Sequence, residues 1–265
     1  MLTDADKNDL TRVAELLADA ARVETLKHFR SASLGVDNKL DSGFDPVTEA
    51  DRAAERAMRA ILAVERPQDA IFGEEYGQTP GTSGLTWVLD PIDGTRGYMA
   101  GTPTWGTLIA VSDDTGPVLG LIDQPYIGER FLGGWGAARF SGPHGGGAIR
   151  VSGADDLAQA TLFSTFPEVG TKAEEAAFRR VAGQVRLIRF GMDCYAYALL
   201  AAGQIDLVIE AGLNAYDIQA PIGLIQAAGG IVTNWQGGPA HHGGQAIAAA
   251  NPTVHAQALE LLNAG

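Results

Sequence analysis

The stretch Trp87-Val88-Leu89-Asp90-Pro91-Ile92-Asp93-Gly94-Thr95 constrains this chain more than any other. Its apolar start, Trp87 to Leu89, reads as a buried strand. Asp90-Pro91 ends that run, and Asp93-Gly94-Thr95 reads as a turn. Two carboxylates three residues apart at the mouth of a strand are badly placed for a core. They are well placed for a hard cation, since Mg²⁺ takes a few carboxylate oxygens and completes its shell with water and phosphate oxygens. Gly94 admits a close approach to the backbone, and Thr95 brings a hydroxyl beside it. The segment predicts a metal-dependent phosphatase centre.

Charge sharpens that expectation. The chain carries 19 Lys and Arg against 32 Asp and Glu, a formal net charge of −13. Such a balance argues against nucleic-acid binding, which needs basic patches. It also disfavours an anionic substrate unless bound cations invert the local field. The single Cys194 excludes an intramolecular disulfide and fits a reducing compartment. Met1 to Asp6 shows neither a basic n-region nor an apolar h-region, and runs such as Tyr195 to Ala202 are too short for a membrane span. The expectation is a cytoplasmic protein with no membrane partner.

A length of 265 residues accommodates one large domain or two intimately packed ones. Periodicity predicts a long amphipathic helix from Asp4 to about Phe29, a polar loop over Gly35 to Pro46, and a second helix opened by Thr48-Glu49-Ala50-Asp51. Ala70 to Phe72 is a short strand. A run of strands follows over Trp87–Leu89, Trp105–Val111, Val118–Asp123, Glu129–Gly133 and Ala137–Phe140, separated by turn residues that predict antiparallel hairpins. Gly-rich Gly142 to Gly147 lacks a following Lys-Ser/Thr helix and reads as a hairpin tip rather than a phosphate cradle. After Ser152, strands and helices alternate, which implies helices covering a sheet. The expected organisation is an N-terminal α+β half over residues 1–150, holding the main metal motifs. A C-terminal α/β half over residues 151–265 completes the same active site.

Each candidate carboxylate also has a plainer reading. Glu74 and Glu75 after a strand fit a solvated turn. Asp90 and Asp93 fit caps of a following helix. Asp51 fits a capping box with Thr48, and Asp217 a cap of the helix running to Ala228. Together, however, they form four junctions that each end in a carboxylate before a helix or tight turn. A metal cluster at one edge of a layered sheet needs that pattern.

Gly73-Glu74-Glu75, then Trp87 to Thr95, then Tyr216-Asp217-Ile218-Gln219-Ala220, resemble the signatures of the inositol monophosphatase-like family, in order and separation, over nearly the whole chain. The resemblance implies an α/β fold, a layered α/β/α/β/α sandwich, and a Mg²⁺-dependent, lithium-sensitive, commonly dimeric phosphomonoesterase. It implies two to three Mg²⁺ ions. Glu74, Asp90 and the Ile92 carbonyl would hold the first, and Asp90, Asp93 and Asp217 the second, with Glu74 helping to hold a third through water. Thr95 and Asp51 would orient and deprotonate the attacking water, with Glu74 also in the catalytic set. The amides of Gly94 and Thr95, beside Asp93, would receive the phosphate, and Lys39 stands where members carry a basic residue. Cations acidify water and stabilise the leaving alkoxide, so phosphoryl transfer becomes positioning plus electrostatics, with direct in-line attack by water.

Substrate choice falls on the leaving-group pocket. Asp193-Cys194-Tyr195, Tyr216-Asp217 and Thr104 to Leu108 resemble the histidinol-phosphatase branch of that family. Histidinol phosphate carries an ammonium and an imidazole, which carboxylates at Asp193 and Glu210 can pair with, whereas an inositol ring is neutral. The plainer readings are a helix cap for Asp193 and a surface strand end for Glu210. The alternative activities are hydrolysis of inositol phosphates or of another small sugar or nucleotide phosphate, and a non-catalytic regulatory homologue. His241-His242 reads as a loop, Cys194 as a buried thiol, and Trp87 and Trp105 as core residues.

Overall fold

The computed structural model describes residues 2–31, 36–38 and 46–264. Helix α1 (Asp4–His28) opens with a capping box: the Asp6 amide is donated to the Thr3 hydroxyl, and the Asp6 carboxylate accepts the Thr3 amide. Its buried stripe is Leu10, Val13, Ala14, Leu17, Ala18 and Ala21, the three-and-four spacing of one helix face. Strands β1 (Val36–Asn38) and β2 (Pro46–Thr48) pair antiparallel. The ends of the stretch expected to be loop are therefore extended; Lys39 lies outside the described residues. Helix α2 (Glu49–Glu65) buries Ala50, Ala54, Met58 and Leu62 on one face.

The next strands are β3 (Ala70–Gly73), β4 (Gly77–Thr79) and β5 (Thr86–Asp93), then helix α3 (Thr95–Ala100). They are followed by β6 (Gly106–Asp113), β7 (Gly116–Gln124), β8 (Glu129–Gly134), β9 (Ala137–Gly142) and β10 (Gly145–Ala148). These make an eight-stranded sheet in the order β10-β9-β8-β7-β6-β5-β3-β4, antiparallel except where β3 lies parallel to β5. Gly142 to Gly147 carries the β9–β10 hairpin, as its composition predicts. Alternation sorts the side chains: Trp87, Leu89, Ile109 and Val111 pack on α1 and α2, while Val88, Leu108 and Ala110 face the opposite side.

The remaining elements are β11 (Thr161–Ser164), α4 (Lys172–Ala182), β12 (Leu187–Phe190), α5 (Cys194–Ala201), β13 (Leu207–Leu213) and α6 (Ala215–Ala227). Strands β14 (Ile231–Thr233) and β15 (Gly244–Ala249) and helix α7 (Pro252–Asn263) close the chain. A five-stranded sheet results, ordered β12-β11-β13-β15-β14. Its Val208, Ala246 and Ala248 join α5 and α6 and the larger sheet in one core, while Leu207, Ile209 and Ile247 pack on α4 and α7. The layers are thus α1–α2, large sheet, α5–α6, small sheet, α4–α7: the α/β/α/β/α sandwich expected from the motifs. Among the described residues no helix is long and apolar enough to cross a membrane.

Helix α6 sits directly on the large sheet because glycines meet at the crossing. A Cβ on Gly120 of β7 would lie 2.0 Å from the Ala220 carbonyl oxygen, and one on Gly223 would lie 2.6 Å from the Gly120 nitrogen. This backbone-to-backbone seating sets the position of the α6 N-terminus and hence of Asp217. Trp87 and Trp105 are fully buried, as read from the sequence, and His241 and His242 lie in the β14–β15 connection with rings 4.2 Å apart.

Candidate metal and phosphate site

Strand β5 delivers the central motif by losing its register. Its pairing with β6 shifts between Asp90 and Asp93, where Pro91 has no amide hydrogen to give to a ladder. The Thr107 hydroxyl takes up the Pro91 carbonyl at 2.8 Å, and the Ile92 amide turns back to Asp90 Oδ1 at 3.1 Å. Thr95 donates its hydroxyl to the Ile92 carbonyl at 3.1 Å. Gly94 then takes φ +86°, a left-handed conformation, and opens α3. A Cβ there would lie 2.8 Å from the Asp193 carboxylate, so what approaches the Gly94 backbone closely within the chain is Asp193.

One oxygen each of Asp90, Asp93 and Asp217 lie within 4.8 Å of one another. Burial, then the charges of Glu74, Asp93 and Asp217, hold the Asp90 carboxyl well above the usual range, and it is in hydrogen-bond contact with Glu74. Asp93 is pushed the same way, first by burial and then by Asp193 and Asp217. Asp217 also accepts the Asn214 amide at 2.7 Å, so its cap role and its place in the cluster hold together. Glu74 sits in the turn between β3 and β4, its amide donated to the Leu89 carbonyl at 3.1 Å.

These groups share a cavity of about 390 Å³. Its walls carry six carboxylates (Glu74, Asp90, Asp93, Asp193, Glu210 and Asp217) and, among the described residues, one cationic side chain, Arg96. Ile92, Gly94 and Thr95 line it as well. An all-oxygen donor set, with carboxyls driven toward the protonated form first by burial and then by one another's charge, fits a hard divalent cation.

Asp51 lies behind this wall. It is buried in the first turn of α2 and accepts the Thr48 amide at 2.8 Å and the Thr48 hydroxyl at 2.5 Å, completing the expected capping box. Burial pushes its carboxyl up to about 7 against those two bonds, with the nearby charges of Glu74 and Glu75 adding to the rise.

Two plainer readings fall away, those of Glu210 and Asp193, and one expectation, that for Tyr216, needs correction. Glu210 is not a surface strand end: it is buried, lines the cavity, and accepts the Thr165 amide at 2.7 Å and hydroxyl at 2.9 Å. Burial pushes it up to about 7. Asp193 precedes α5 but makes no capping bond. Its backbone sits at φ 46°, ψ −141°, and the first amide of α5, the Cys194 N–H, is donated instead to Asp93 at 2.6 Å. Burial raises the Asp193 carboxyl, opposed by the Thr104 hydroxyl and the charge of Arg96. Tyr216 is not a cavity residue, because its ring packs edge-on against Phe72 with centroids 5.8 Å apart. Cys194 is the buried thiol expected, pushed up by burial and the Asp93 and Asp193 charges.

Sequence reasoning missed Arg96, Thr165 and Phe166 on the cavity wall. Arg96 lies over the Phe166 ring, 5.3 Å from its centroid. Its adjacency to Thr95 was the available signal, and for Thr165 and Phe166 it was their place just after strand β11.

Residues 6–264 match the family described as the inositol monophosphatase family. The chain is 39% identical to the bifunctional phosphatase IMPL2, chloroplastic, of Arabidopsis thaliana, over 98% of this chain and 77% of that protein. To the histidinol-phosphatase of Streptomyces coelicolor it is 36% identical, over 97% and 98% of the two chains. The solved structure of an inositol monophosphatase from Zymomonas mobilis superposes with a TM-score of 0.85 at 38% identity, covering 99% of this chain and 100% of that one. The chain belongs to the inositol monophosphatase family. It is a phosphatase of the phosphomonoester-hydrolysing kind, in a family whose members depend on a metal ion.

Proposed function

We propose that the protein is a Mg²⁺-dependent phosphomonoesterase that hydrolyses L-histidinol phosphate to L-histidinol and phosphate. The observation that carries the substrate is the pair Asp193 and Glu210, one half-buried and one buried, lining the same cavity as the three-carboxylate group but outside it. Neither is needed to hold a phosphate. Both suit an alcohol bearing an ammonium and an imidazole, and the likeness to a histidinol-phosphatase over almost the full length supports the same reading.

In this reading Glu74, Asp90, Asp93, Asp217 and the Ile92 carbonyl hold the cations, two to three in number. Bound Mg²⁺ supplies neutralising charge for the phosphate and acidifies water. The chain's own groups do the positioning. The Gly94 and Thr95 amides and the Arg96 guanidinium face the phosphate, and the Thr95 hydroxyl is held by the Ile92 carbonyl at the edge of the cluster. Asp51, with a carboxyl near 7, is matched to taking a proton at neutral pH through Thr95. Lys39 keeps its expected place among the substrate-binding residues as a proposal from sequence alone. Residues 1–150 and 151–265 then form one catalytic unit, since Asp93 and Asp217 come from either side of that division.

The second reading is an inositol-phosphate phosphatase, favoured by the likeness to the Zymomonas mobilis enzyme. Turnover of L-histidinol phosphate and inositol 1-phosphate under identical Mg²⁺ conditions separates them. A kcat/KM for inositol 1-phosphate equal to or above that for histidinol phosphate would sink the first reading.

A further inference from the structure

Helix α2 turns two buried carboxylates to the same side, one helical turn apart. Asp51 is one; Glu55, four residues on, is the other, and it is 0% exposed without lining the cavity. Glu55 points at the turn that carries Glu74. Its Oε2 accepts the Glu75 N–H at 2.7 Å and its Oε1 accepts the Tyr76 N–H at 3.2 Å. The Arg59 guanidinium donates to Oε1 at 2.7 Å and also holds the Gly77 carbonyl at 2.6 Å.

The sequence makes room for this contact. A Cβ on Gly73 would lie 1.9 Å from Glu55 Oε1, so the glycine that begins Gly73-Glu74-Glu75 is required by the Glu55 carboxylate rather than by its own dihedral angles. The Glu74 amide itself goes to the Leu89 carbonyl, one residue before Asp90. The turn is therefore gripped on both flanks: by β5 before Glu74 and by Glu55 after it.

A carboxylate in the interior is costly, and a well-packed apolar side chain would hold α2 against the sheet at least as well. What an apolar residue cannot do is satisfy two successive backbone N–H groups with one anion, which fixes the peptide planes on either side. We infer that Glu55 is the positioning residue for Glu74: its carboxylate fills the nest formed by the Glu75 and Tyr76 amides and so sets the direction in which the Glu74 carboxylate meets Asp90. The inference rests on the proposal above that Glu74 is a cation ligand. It also ties Asp51 and Glu74 to one rigid helix, so the proton acceptor and the cation ligand keep a fixed separation.

The test uses Mn²⁺ as the probe, with binding to the full chain followed by electron paramagnetic resonance of the free ion. Near-UV circular dichroism and Tm are recorded on the same samples. Glu55→Gln is expected to weaken Mn²⁺ binding by about tenfold or more while the near-UV spectrum stays native, the effect typical of losing an outer-shell partner of a ligand. Arg59→Ala, which spares both amide bonds, is expected to lower Tm and leave Mn²⁺ affinity near the wild-type value. Glu74→Gln is the reference for the site itself. If Glu74→Gln weakens Mn²⁺ and folded Glu55→Gln does not, the inference fails and the site stands. If Glu74→Gln has no effect, the reading beneath it fails. Equal shifts in Glu55→Gln and Arg59→Ala overturn it too, because they reveal a shared structural loss. Should Glu55→Gln not fold, Glu55→Asp is read instead, and unchanged Mn²⁺ affinity there overturns the inference.

Discussion

The Asp93 carboxylate accepts the backbone N–H of Cys194 at 2.6 Å, joining residues 101 positions apart. One oxygen of the same side chain belongs to the carboxylate cluster, so Asp93 both binds the first amide of α5 and sits in the group proposed to hold the cations. The loop bearing Asp193 is anchored to a metal carboxylate, and disturbance of either reaches the other.

Asp93→Ala should therefore fail twice. Loss of a helix cap costs about 1 kcal/mol, which appears as a lower Tm without metal. Loss of a cation ligand removes several kcal/mol of transition-state stabilisation, on the order of a hundredfold or more in kcat. Asp90→Asn, which removes repulsion without breaking a cap, should match the activity loss while leaving the metal-free Tm unchanged or higher. A metal-free Tm that falls equally in both variants contradicts the division.

Stability should fall with rising pH when no cation is present. Asp51 goes from an ordinary 3.8 up to about 7 in the fold, and Asp90 and Asp93 shift in the same direction. A raised folded value means the native state keeps protons the unfolded chain has released. The contribution is full below about pH 4, the unfolded value, and is lost as pH rises through 7. In the proposed reading Mg²⁺ takes the place of the protons on Asp90 and Asp93, so its Tm increment should be larger at pH 8 than at pH 5. Calorimetry with and without Mg²⁺ at the two pH values checks this; equal increments count against the cluster as the binding site.

Asp193→Asn should separate substrates. The variant keeps shape and loses charge, so KM for histidinol phosphate is expected to rise about tenfold, one charge-assisted contact, with little change for inositol 1-phosphate. Equal losses on both would argue that Asp193 serves the loop geometry instead.

Gly120→Ala tests the seating of α6. The new methyl group would meet the Ala220 carbonyl, and overpacking of this kind costs about 1–3 kcal/mol or more. A helix displaced from β7 carries Asp217 with it, so the Mg²⁺ needed for half-maximal activity should rise along with the fall in Tm. A destabilised variant with wild-type Mg²⁺ dependence would show that α6 tilts about its N-terminus rather than lifting.

The layered fold was legible because its information is local and periodic. Trp87-Val88-Leu89 and Leu108 to Val111 alternate between two helical layers, and Thr48 with Asp51 announces a helix start within four residues. The carboxylate cluster was legible for a different reason: Asp90 and Asp93 sit where β5 loses its register and ends, and Asp217 in the first turn of α6. Glu210 was read as a carboxylate of the substrate pocket and does line the cavity; what Ile209-Glu210-Ala211 could not show is that Thr165, 45 residues earlier, donates two hydrogen bonds to it. The plainer reading of Asp193 as a cap came from its place before a helix, yet it makes no capping bond, and the first amide of α5 goes to Asp93 on β5. Arg96 went unnoticed because its contacts, Phe166 and the Asp193 charge, are contributed from across the fold.

The edge-on contact between Phe72 and Tyr216 has a consequence for the spacing of the site. Phe72 stands two residues before Glu74, and Tyr216 stands immediately before Asp217, so the two rings lie between the supports of two of the carboxylates proposed to hold the cations. A wider or narrower ring at position 216 changes the gap between those supports without touching the alcohol. Exchange of Tyr216 for Trp is accordingly expected to move the Mg²⁺ optimum and to leave the ratio of kcat/KM values for two alcohols where it was.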